Sequence, residues 1–371
     1  MKLLIDMSCI TKKTRYSSVS IYIMRLVDSL KKKDHHNIIL LFDKSFEFYL
    51  KDRYPDFTYY TIKRNYLLYR LPFISDWYAR CIYKKTISKI QCDYELIASD
   101  LDRGTLINPF HNRVIVIHDL KGIKEKTFAS KKNYLFYKKI IETSRAVIAI
   151  SNYTKNDIIL HYKTPENKIS VIHNSVNLSH NSIKPDSFDD SKKYFLYVNT
   201  LQPYKNILTL LQAFNLLVKK FDYNLVIVGK TTAYWLKIIR PFIQSKFWKN
   251  RIIHYEKLSA EELKYLYENT SLFISTSKRE GFGYTPIEAA ICRVPVLCSM
   301  CEALQETTHG LVNYYSPVDD FEALAYKMEQ IINKPLQEKE LNQIAEFFKT
   351  TYSDEHQLEQ IMQVFQNLEN T

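Results

Sequence analysis

Glycine is scarce in this chain, which has only 6 glycines among 371 residues. Average usage of about 7% would give roughly 26. Glycine has no side chain, so it tolerates strained backbone conformations and close contacts with the backbone. A chain with so few glycines should retain them where a side chain does not fit. Two of the six, Gly281 and Gly283, occur in one short stretch. This clustering is the first indication of a functional site.

The chain also lacks long apolar runs and a disulfide pattern. No stretch approaches the roughly 18 apolar residues of a membrane span, and Asp6 interrupts the N-terminal apolar residues before a signal sequence develops. The six cysteines are irregularly spaced, unlike a small secreted scaffold. The pair Cys298 and Cys301 forms a lone CxxC without a second ligand pair, so we interpret it as structural.

Composition indicates a globular protein with an anionic partner. Hydrophobic residues make up 46% and charged residues 25%, the net charge is +12, and the pI is about 9.1. Such a charge favours nucleic acid, a membrane surface or a phosphorylated ligand, but no nucleic-acid motif is visible. The segment Lys63–Lys85 mixes six Lys and Arg with aromatic residues. Such a mixture suits a membrane interface or a nucleic-acid surface, and a partly buried helix with a solvated basic face explains it as well. We favour an anionic membrane surface.

Short β-branched runs alternate with helical stretches, which is typical of parallel sheets with crossover helices. The predicted strands are Lys2–Asp6, Ile38–Phe42, Val114–Ile117, Ala146–Ile150, Ile169–Ile172, Phe195–Val198, Leu225–Val228, Ile252–His254, Leu272–Ser275 and Val294–Leu297. We expect an α/β protein with two doubly wound, Rossmann-like domains facing a central cleft, at 1–177 and 194–345. Residues 178–193 form the polar linker, and 346–371 form a helical segment that packs back on the first domain.

The clustered glycines follow a predicted strand in the stretch EGFGYTPIEAA, which starts at Glu280. Thr285, Pro286 and Glu288 have the pattern of a helix start with a capping box. A strand, a glycine loop and a helix N-terminus form a ready anion site, although a tight turn with a helix cap explains the same residues.

This stretch resembles the signature of the family 4 retaining glycosyltransferases, which have the GT-B fold. The two carboxylates Glu280 and Glu288 are separated by seven residues, as in that family. Other segments similar to the family are Ile117–Asp119, Val147–Asn152, Val171–Asn177, Tyr197–Asn206 and Leu225–Gly229. Within the family, the surface-polysaccharide mannosyltransferases and rhamnosyltransferases have the loop most similar to YVNTLQPYKN.

The resemblance implies a catalytic set of His118, Glu280 and Lys205. Glu280 would bind the hydroxyls of the donor sugar, Lys205 would neutralise the departing diphosphate, and His118 would lie opposite the anomeric carbon. Glu288 would hold the ribose. The other implied donor-binding residues are Gly281, Phe282, Gly283, Thr200, Lys278, Arg279 and Asn174.

Other interpretations of these residues stay open at the level of sequence. Lys205 also fits a solvated lysine at a helix start, His118 a satisfied histidine at a strand end, and Asn174 a turn residue. Ser18 and Ser20 stand where the acceptor-side loop of the family usually has glycines, and Asn199 replaces a third glycine.

The triplet Asp100-Leu101-Asp102 matches the metal-binding motif of the other large glycosyltransferase fold, but nothing around it resembles that fold. The GT-B resemblance implies that the enzyme needs no metal. It also implies no cofactor apart from a nucleotide-sugar donor, GDP-mannose or another nucleoside-diphosphate hexose.

The predicted function is a retaining hexosyltransferase that extends an O-antigen, capsule or lipopolysaccharide type glycan. A GT-B sugar-nucleotide epimerase and a non-catalytic basic binding protein are the alternatives. The expected partners are a nucleotide sugar, a glycan or lipid-linked glycan acceptor and an anionic membrane surface, with no nucleic acid. We expect a cytoplasmic protein, peripheral at the inner face of the plasma membrane.

Overall fold

The computed structural model describes residues 1–15, 17–33, 36–65, 67–68, 74–98, 112–120 and 128–370, without the side chains of 76 and 128–132. The triplet Asp100–Asp102 and part of the basic segment Lys63–Lys85 lie outside the described residues. The chain divides into two compact units. Unit 1 consists of Met1–Ser175 and Asp354–Thr371, and unit 2 of Val176–Ser353.

Unit 1 contains a parallel sheet with the strand order β3-β2-β1-β4-β5-β6-β7 among its described residues. The strands are β1 Leu3–Asp6, β2 Ile38–Asp43, β3 Thr58–Ile62, β4 Tyr94–Ile97, β5 Arg113–Ile117, β6 Ala146–Ala149 and β7 Ile169–Val171. Every residue of β1, β2, β4, β5 and β6 is buried, because helices cover both faces of a doubly wound sheet.

The helices of unit 1 include one that returns from the far end of the sequence. They are α1 Ser18–Lys31, α2 Glu47–Arg53, α3 Ser75–Ile87, α4 Phe128–Thr143, α5 Asn152–Tyr162 and α13 Asp354–Glu369. Helix α13 packs on α1 and places the ring of Phe365 5.5 Å from that of Tyr94 in β4. The last helix is therefore part of the first unit.

Unit 2 contains a parallel sheet with the order β10-β9-β8-β11-β12-β13. Its strands are β8 Tyr194–Val198, β9 Asn224–Val228, β10 Ile252–Tyr255, β11 Leu272–Ser275, β12 Val296–Ser299 and β13 Asn313–Tyr315. Its helices are α6 Ile207–Leu217, α7 Arg240–Gln244 after a π-helical turn at Trp235–Ile239, α8 Ala260–Asn269, α9 Tyr284–Ile291, α10 Glu302–Thr307, α11 Phe321–Asn333 and α12 Glu338–Thr351. Aliphatic and aromatic residues form the core of this unit, where Trp248 contacts Phe214 edge to face.

Each predicted strand overlaps an observed one, and the predicted α/β class is confirmed. The strands β3, β4 and β13 are not predicted by the hydrophobic patterns. The boundary between the units lies at Ser175 and Val176, and α12 lies wholly in unit 2. Among the described residues, none of the helices combines the length and apolar character that crossing a bilayer requires.

Candidate functional site

The candidate site of unit 2 lies where its sheet changes direction. Strand β8 comes first in the unit and pairs on one side with β9 and on the other with β11. In doubly wound sheets, ligands bind beyond the carboxyl ends of the strands at this change of direction. The loops that leave β8 and β11 here are residues 199–206 and 276–283, which contain the residues singled out from the sequence.

A buried ion pair joins these two loops. Lys205 Nζ lies 2.5 Å from Glu280 Oε1, and the two side chains are only 9% and 12% exposed. Ser277 Oγ donates a second hydrogen bond to the same carboxylate oxygen at 2.7 Å. The interpretation of Lys205 as a solvated lysine is therefore wrong. The carboxylate gives the buried ammonium the charged partner that a buried cation requires.

The loop after β8 is fixed by its own backbone. Lys205 ends a 3-10 turn, and its carbonyl accepts hydrogen bonds from Tyr197 Oη and from Thr276 Oγ1, at 2.9 and 3.0 Å. Asn206 follows in the left-handed region, with φ 55°. Asparagine tolerates this conformation better than most residues. The backbone therefore aims Lys205 at Glu280.

Asn199, which stands where the family usually has glycine, has a defined role in this loop. Its Oδ1 accepts from the amide of Thr200 at 3.0 Å, and its Nδ2 donates to Ser277 Oγ at 3.2 Å. Gly229 makes room for the backbone at this point, because a Cβ there would lie 2.1 Å from the carbonyl oxygen of Asn199. Thr200 itself is exposed.

The helix after the glycine loop starts differently from the prediction. Helix α9 begins at Tyr284, one residue before Thr285, and its N-cap is Gly283 with φ 91° and no side-chain cap. The predicted capping box of Thr285 and Glu288 is therefore wrong. Gly283 is needed twice over, since its conformation favours glycine and a Cβ would lie 2.2 Å from Leu304 Cδ2.

Glu288, freed from a capping role, is held by a phenol. Tyr267 Oη donates to Glu288 Oε2 at 2.9 Å. Burial and the neighbouring carboxylate raise the pKa of Tyr267 well above its usual range, so the phenol remains a donor at any ordinary pH.

The remaining predicted donor residues surround the glycine loop. Gly281 and Phe282 are buried, and the Phe282 ring contacts those of Tyr284 and Tyr352 edge to face. Arg279 is exposed. Lys278 is exposed as well, and its ammonium lies 2.5 Å from Asp319 Oδ1, so this predicted helper already pairs with a carboxylate.

The predicted residues of unit 1 occupy separate places on that unit. His118 directly follows β5; its Nε2 lies 3.0 Å from the Ala98 carbonyl, and its ring meets that of Tyr22 edge to face. A satisfied histidine at a strand end fits these contacts. Ser18 and Ser20 form the first turn of α1 rather than a loop, because Ser17 caps the helix by accepting from the Ser20 amide.

Asn174 differs from a turn residue. It is 1% exposed, and among the described residues neither its Oδ1 nor its Nδ2 has a hydrogen-bond partner. A turn asparagine normally bonds its own backbone two residues on. A buried amide without partners costs about 1–3 kcal/mol, which makes Asn174 unusual among the buried polar side chains of the described residues.

Ser277 and Tyr267 are not among the residues predicted from the sequence. Serine three residues before Glu280 gives a weak sequence signal, and Tyr267 lies 21 residues from Glu288, so only the fold brings that pair together. The CxxC pair is buried, and burial raises the pKa of Cys301 to about 12, which supports its structural interpretation. Among the described residues, no cluster of His, Cys, Asp and Glu is arranged to hold a metal ion.

Comparison with known proteins agrees with this geometry. The family described as Glycosyltransferase Family 4 matches residues 19–180, and Glycosyl transferases group 1 matches residues 179–348. The chain is 30% identical over 213 residues to the O-antigen chain mannosyltransferase RfbU of Salmonella typhimurium, a match covering 56% of this chain and 58% of that protein. It is 27% identical over 252 residues to the capsular polysaccharide biosynthesis glycosyltransferase CapM of Staphylococcus aureus, covering 62% and 64%.

The chain thus spans between half and two thirds of the length of these relatives. A solved structure, Anabaena Alr3699/HepE in complex with UDP and glucose, is similar with a TM-score of 0.75 at 14% identity, covering 99% of this chain and 100% of that one. At this identity the similarity shows the fold. The two matched families and the two parallel sheets confirm the predicted recognition and fold, and the chain belongs to the family 4 glycosyltransferases of GT-B fold.

Proposed function

We propose that this chain is a retaining, metal-independent hexosyltransferase that takes a sugar from a nucleoside-diphosphate donor and adds it to a growing surface glycan. The observation that carries the proposal is the buried Lys205–Glu280 pair at the switch point of the unit 2 sheet. The bond to be broken joins a diphosphate to a sugar. The lysine is complementary to the diphosphate, and the glutamate is complementary to the hydroxyls of the sugar.

The leaving group determines the role of Lys205. Negative charge grows on the diphosphate as the glycosidic bond breaks, and a nearby buried ammonium stabilises that charge more strongly than water does. The amides of Gly281 to Gly283 and the N-terminus of α9 add partial positive charge in the same loop. In this proposal, the lysine and these amides screen the diphosphate without a metal ion.

The two carboxylates bind different parts of the nucleotide-sugar donor. Glu280 accepts hydrogen bonds from the sugar hydroxyls, and Glu288 holds the ribose of the nucleotide. Retention follows if the acceptor attacks from the face that the diphosphate leaves, with a phosphate oxygen taking the acceptor proton. The similarity to a protein bound to UDP and glucose supports a nucleotide-sugar donor, and the O-antigen mannosyltransferase relative favours GDP-mannose.

Unit 1 would supply the acceptor side. His118 lies at the carboxyl end of β5, with its ring fixed by Ala98 and Tyr22, so it can orient a polar group. Asn174 brings an amide that has no hydrogen-bond partner among the described residues and that a ligand could satisfy. Ser18 and Ser20 lie in the first turn of α1, and the N-terminus of a helix favours an anionic group of a substrate.

A membrane surface is the proposed location of the acceptor. Helix α3 exposes Trp77, 64% accessible, together with Arg80, Lys84 and Lys85. Tryptophan and basic residues on one helix suit an anionic leaflet. We propose a peripheral position at the cytoplasmic face of the plasma membrane, where a lipid-linked glycan would be within reach.

The direct test is incubation of the purified protein with GDP-mannose or UDP-glucose alone, preceded by a thermal-shift screen of nucleotide sugars. Slow release of the nucleoside diphosphate is expected, and NMR of the product with an added acceptor should show an unchanged anomeric configuration. Conversion of one sugar nucleotide into another would identify an epimerase. Salt-sensitive binding of nucleic acid with no nucleotide-sugar binding would identify a binding protein.

Substitution of the buried pair tests the assignment of its residues. Lys205→Ala and Glu280→Ala should each lower turnover at least about 100-fold, the usual cost of removing a group that stabilises transition-state charge. Lys220→Ala is the matched control, because this lysine of unit 2 pairs with Glu329 on an exposed surface. Near-normal turnover in either site variant, with circular dichroism unchanged, would refute its role.

A further inference from the structure

The orientation of Glu280 depends on a directed chain of hydrogen bonds that starts at the backbone. The amide of Thr200 must donate to Asn199 Oδ1, at 3.0 Å, so the other end of that side chain is the NH₂ group. This group can only donate, and it reaches Ser277 Oγ at 3.2 Å. The Ser277 hydroxyl therefore donates its own hydrogen bond to Glu280 Oε1, at 2.7 Å.

Every bond in this chain points the same way. A carboxylate only accepts, and an amide nitrogen only donates, so no alternative arrangement of protons satisfies all three contacts. Hydrogen bonds aligned head to tail strengthen one another in a buried setting, and Ser277 is fully buried. This series of hydrogen bonds therefore polarises the Ser277 hydroxyl, which donates to one oxygen of Glu280.

Lys205 also donates to Glu280 Oε1. A bound nucleotide sugar would affect Lys205 and Ser277 differently. A bound diphosphate attracts the ammonium of Lys205 and weakens its hold on Glu280. The hydroxyl of Ser277 is fixed by Asn199 and has no such competitor. After the lysine turns to the diphosphate, Ser277 is the group that keeps the carboxylate aimed at the sugar.

We propose that Asn199 and Ser277 are positioning residues that hold Glu280 in its sugar-binding orientation while Lys205 engages the leaving group. This inference rests on the proposed function. It also gives Asn199 a reason to replace the glycine that is usual in the family, since a glycine has no side chain to orient Ser277.

The test measures hydrolysis of GDP-mannose and UDP-glucose and, separately, binding of GDP and UDP. Ser277→Ala should lower turnover of the accepted donor about tenfold or more, because a hydrogen bond to a charged group is lost. Binding of the nucleoside diphosphate, which lacks the sugar, should stay within about twofold of wild type. Ser275→Ala is the matched control, because its hydroxyl is equally buried and has no partner among the described residues.

Two further variants separate positioning from shape. Asn199→Asp keeps the size of the side chain but cannot donate to Ser277, so it should lose as much turnover as Asn199→Ala. In a Glu280→Gln background, Ser277→Ala should have little additional effect, because residues that act through one group are not additive. The two Asn199 variants remain informative if Ser277→Ala folds poorly, since Asn199 lies nearer the surface.

Three results would overturn the inference: wild-type turnover in Ser277→Ala, an Asn199→Asp protein as active as wild type, or a full Ser277→Ala effect in the Glu280→Gln background. Equal losses of sugar-nucleotide turnover and nucleoside-diphosphate binding would count against it as well. If wild-type protein neither binds nor cleaves any nucleotide sugar, the proposed function itself fails, which is a different outcome from an active enzyme that is indifferent to Ser277.

Discussion

Each carboxylate of the candidate donor site meets a buried hydroxyl. Ser277 donates to Glu280, and Tyr267 donates to Glu288 across the space between α8 and α9. The distances are 2.7 and 2.9 Å, within the usual range of O–H···O hydrogen bonds. Side chains that would otherwise sample several rotamers are thereby fixed before a ligand arrives. Such preorganisation lowers the entropic cost of binding.

Tyr267→Phe tests the second of these contacts. The variant keeps the ring, removes the donor and leaves Glu288 less firmly oriented toward the ribose. We expect affinity for the nucleoside diphosphate to fall roughly tenfold, which corresponds to about 1.4 kcal/mol, near the lower value for a hydrogen bond to a charged group. Isothermal titration calorimetry with GDP and UDP measures the change.

Tyr194→Phe is the control for that experiment. Its hydroxyl is also buried in unit 2, but it donates to the carbonyl of Leu266, away from the carboxylates. Unchanged nucleotide binding is expected in this variant. If Tyr267→Phe bound nucleotide as tightly as wild type, Glu288 would not depend on Tyr267 for its orientation.

At the residue scale, the sequence predicted which side chains lie together but not all of their bonds. Glu280 and Lys205 are adjacent as the resemblance implied, although they are 75 residues apart. The spacing from Thr285 to Glu288 satisfied the rule for a helix cap, yet the observed N-cap is Gly283, two residues before Thr285. A local pattern cannot show that a phenol from another helix takes over the carboxylate.

At the scale of elements, a buried polar network ties together β1, α3, β4 and β5. The hydroxyl of Tyr83 lies 3.0 Å from Asp6 Oδ2 and also bonds Glu95. Arg113 Nε donates to the other oxygen of Glu95 at 2.9 Å. One phenol thus bridges two carboxyl groups inside the sheet of unit 1, and this arrangement is most stable when a proton is retained between them.

The pKa of Asp6 reflects this arrangement. The pKa of Asp6 is raised from 3.8 to about 6, mainly by burial and in part by the charge of Glu95, against the lowering effects of Ser8 and Arg64. The folded state therefore holds this proton more tightly than the unfolded state. Its stabilising contribution is complete below pH about 4 and is lost as the pH rises through about 6, by up to about 3 kcal/mol.

Asp6→Asn should remove that pH dependence. The amide resembles the protonated carboxyl, so its Oδ1 can still accept from Ser8 and its NH₂ can donate to Tyr83. We expect the urea midpoint of unit 1, followed by hydrogen exchange of the β1 amides, to fall less between pH 4 and 7 than in wild type. An identical pH profile in the two proteins would show that Asp6 does not titrate in this range.

The network also explains why β4 is not predicted from the sequence. A glutamate in a four-residue strand argues against a fully buried element, yet all four residues of Tyr94–Ile97 are buried. Arg113, from the neighbouring strand, compensates for Glu95, and their side chains are 1% and 0% exposed. Compensation between residues that the fold brings together does not appear in local hydrophobic patterns.

Helix α13 gives a second prediction at this scale. Its residues Leu358, Ile361 and Phe365 are fully buried, and Gln357 donates to the carbonyl of His173 at 2.9 Å. Phe365→Ala should destabilise unit 1 by about 3–5 kcal/mol through loss of apolar burial and a cavity beside Tyr94. Chemical denaturation followed by circular dichroism would measure the change.

Leu160→Ala is the control in the same unit, because Leu160 is 73% exposed. Its effect should stay within about 0.5 kcal/mol. If Phe365→Ala were equally mild, α13 would contribute little to unit 1, contrary to its packing on α1.

At the scale of the whole molecule, the net charge of +12 exceeds the charge that one diphosphate can neutralise. This excess favours a further anionic partner. The exposed face of α3 is one described surface that combines this charge with an aromatic residue, Trp77. Each basic residue near an anionic leaflet contributes about 1 kcal/mol to binding. The orientation of a peripheral enzyme on a membrane follows from where such residues cluster.

Vesicle flotation tests this surface. Wild-type protein should float with vesicles of phosphatidylglycerol and phosphatidylcholine, and much less with phosphatidylcholine alone. Lys84→Gln with Lys85→Gln should reduce recovery, whereas Lys219→Gln with Lys220→Gln removes the same charge from unit 2 and should not. Equal recovery on the two kinds of vesicle, or equal losses in the two double variants, would refute a role for α3.

The course of the chain through the two units has a consequence for biosynthesis. Unit 1 takes its first 175 residues from the start of the sequence and its last helix from beyond residue 353. Ribosomes deliver the chain from the N-terminus, and domains usually fold in that order. Here α13 covers the apolar face of α1 and β4 only after all of unit 2 has been synthesised. The nascent protein therefore keeps this apolar surface exposed while unit 2 is being made.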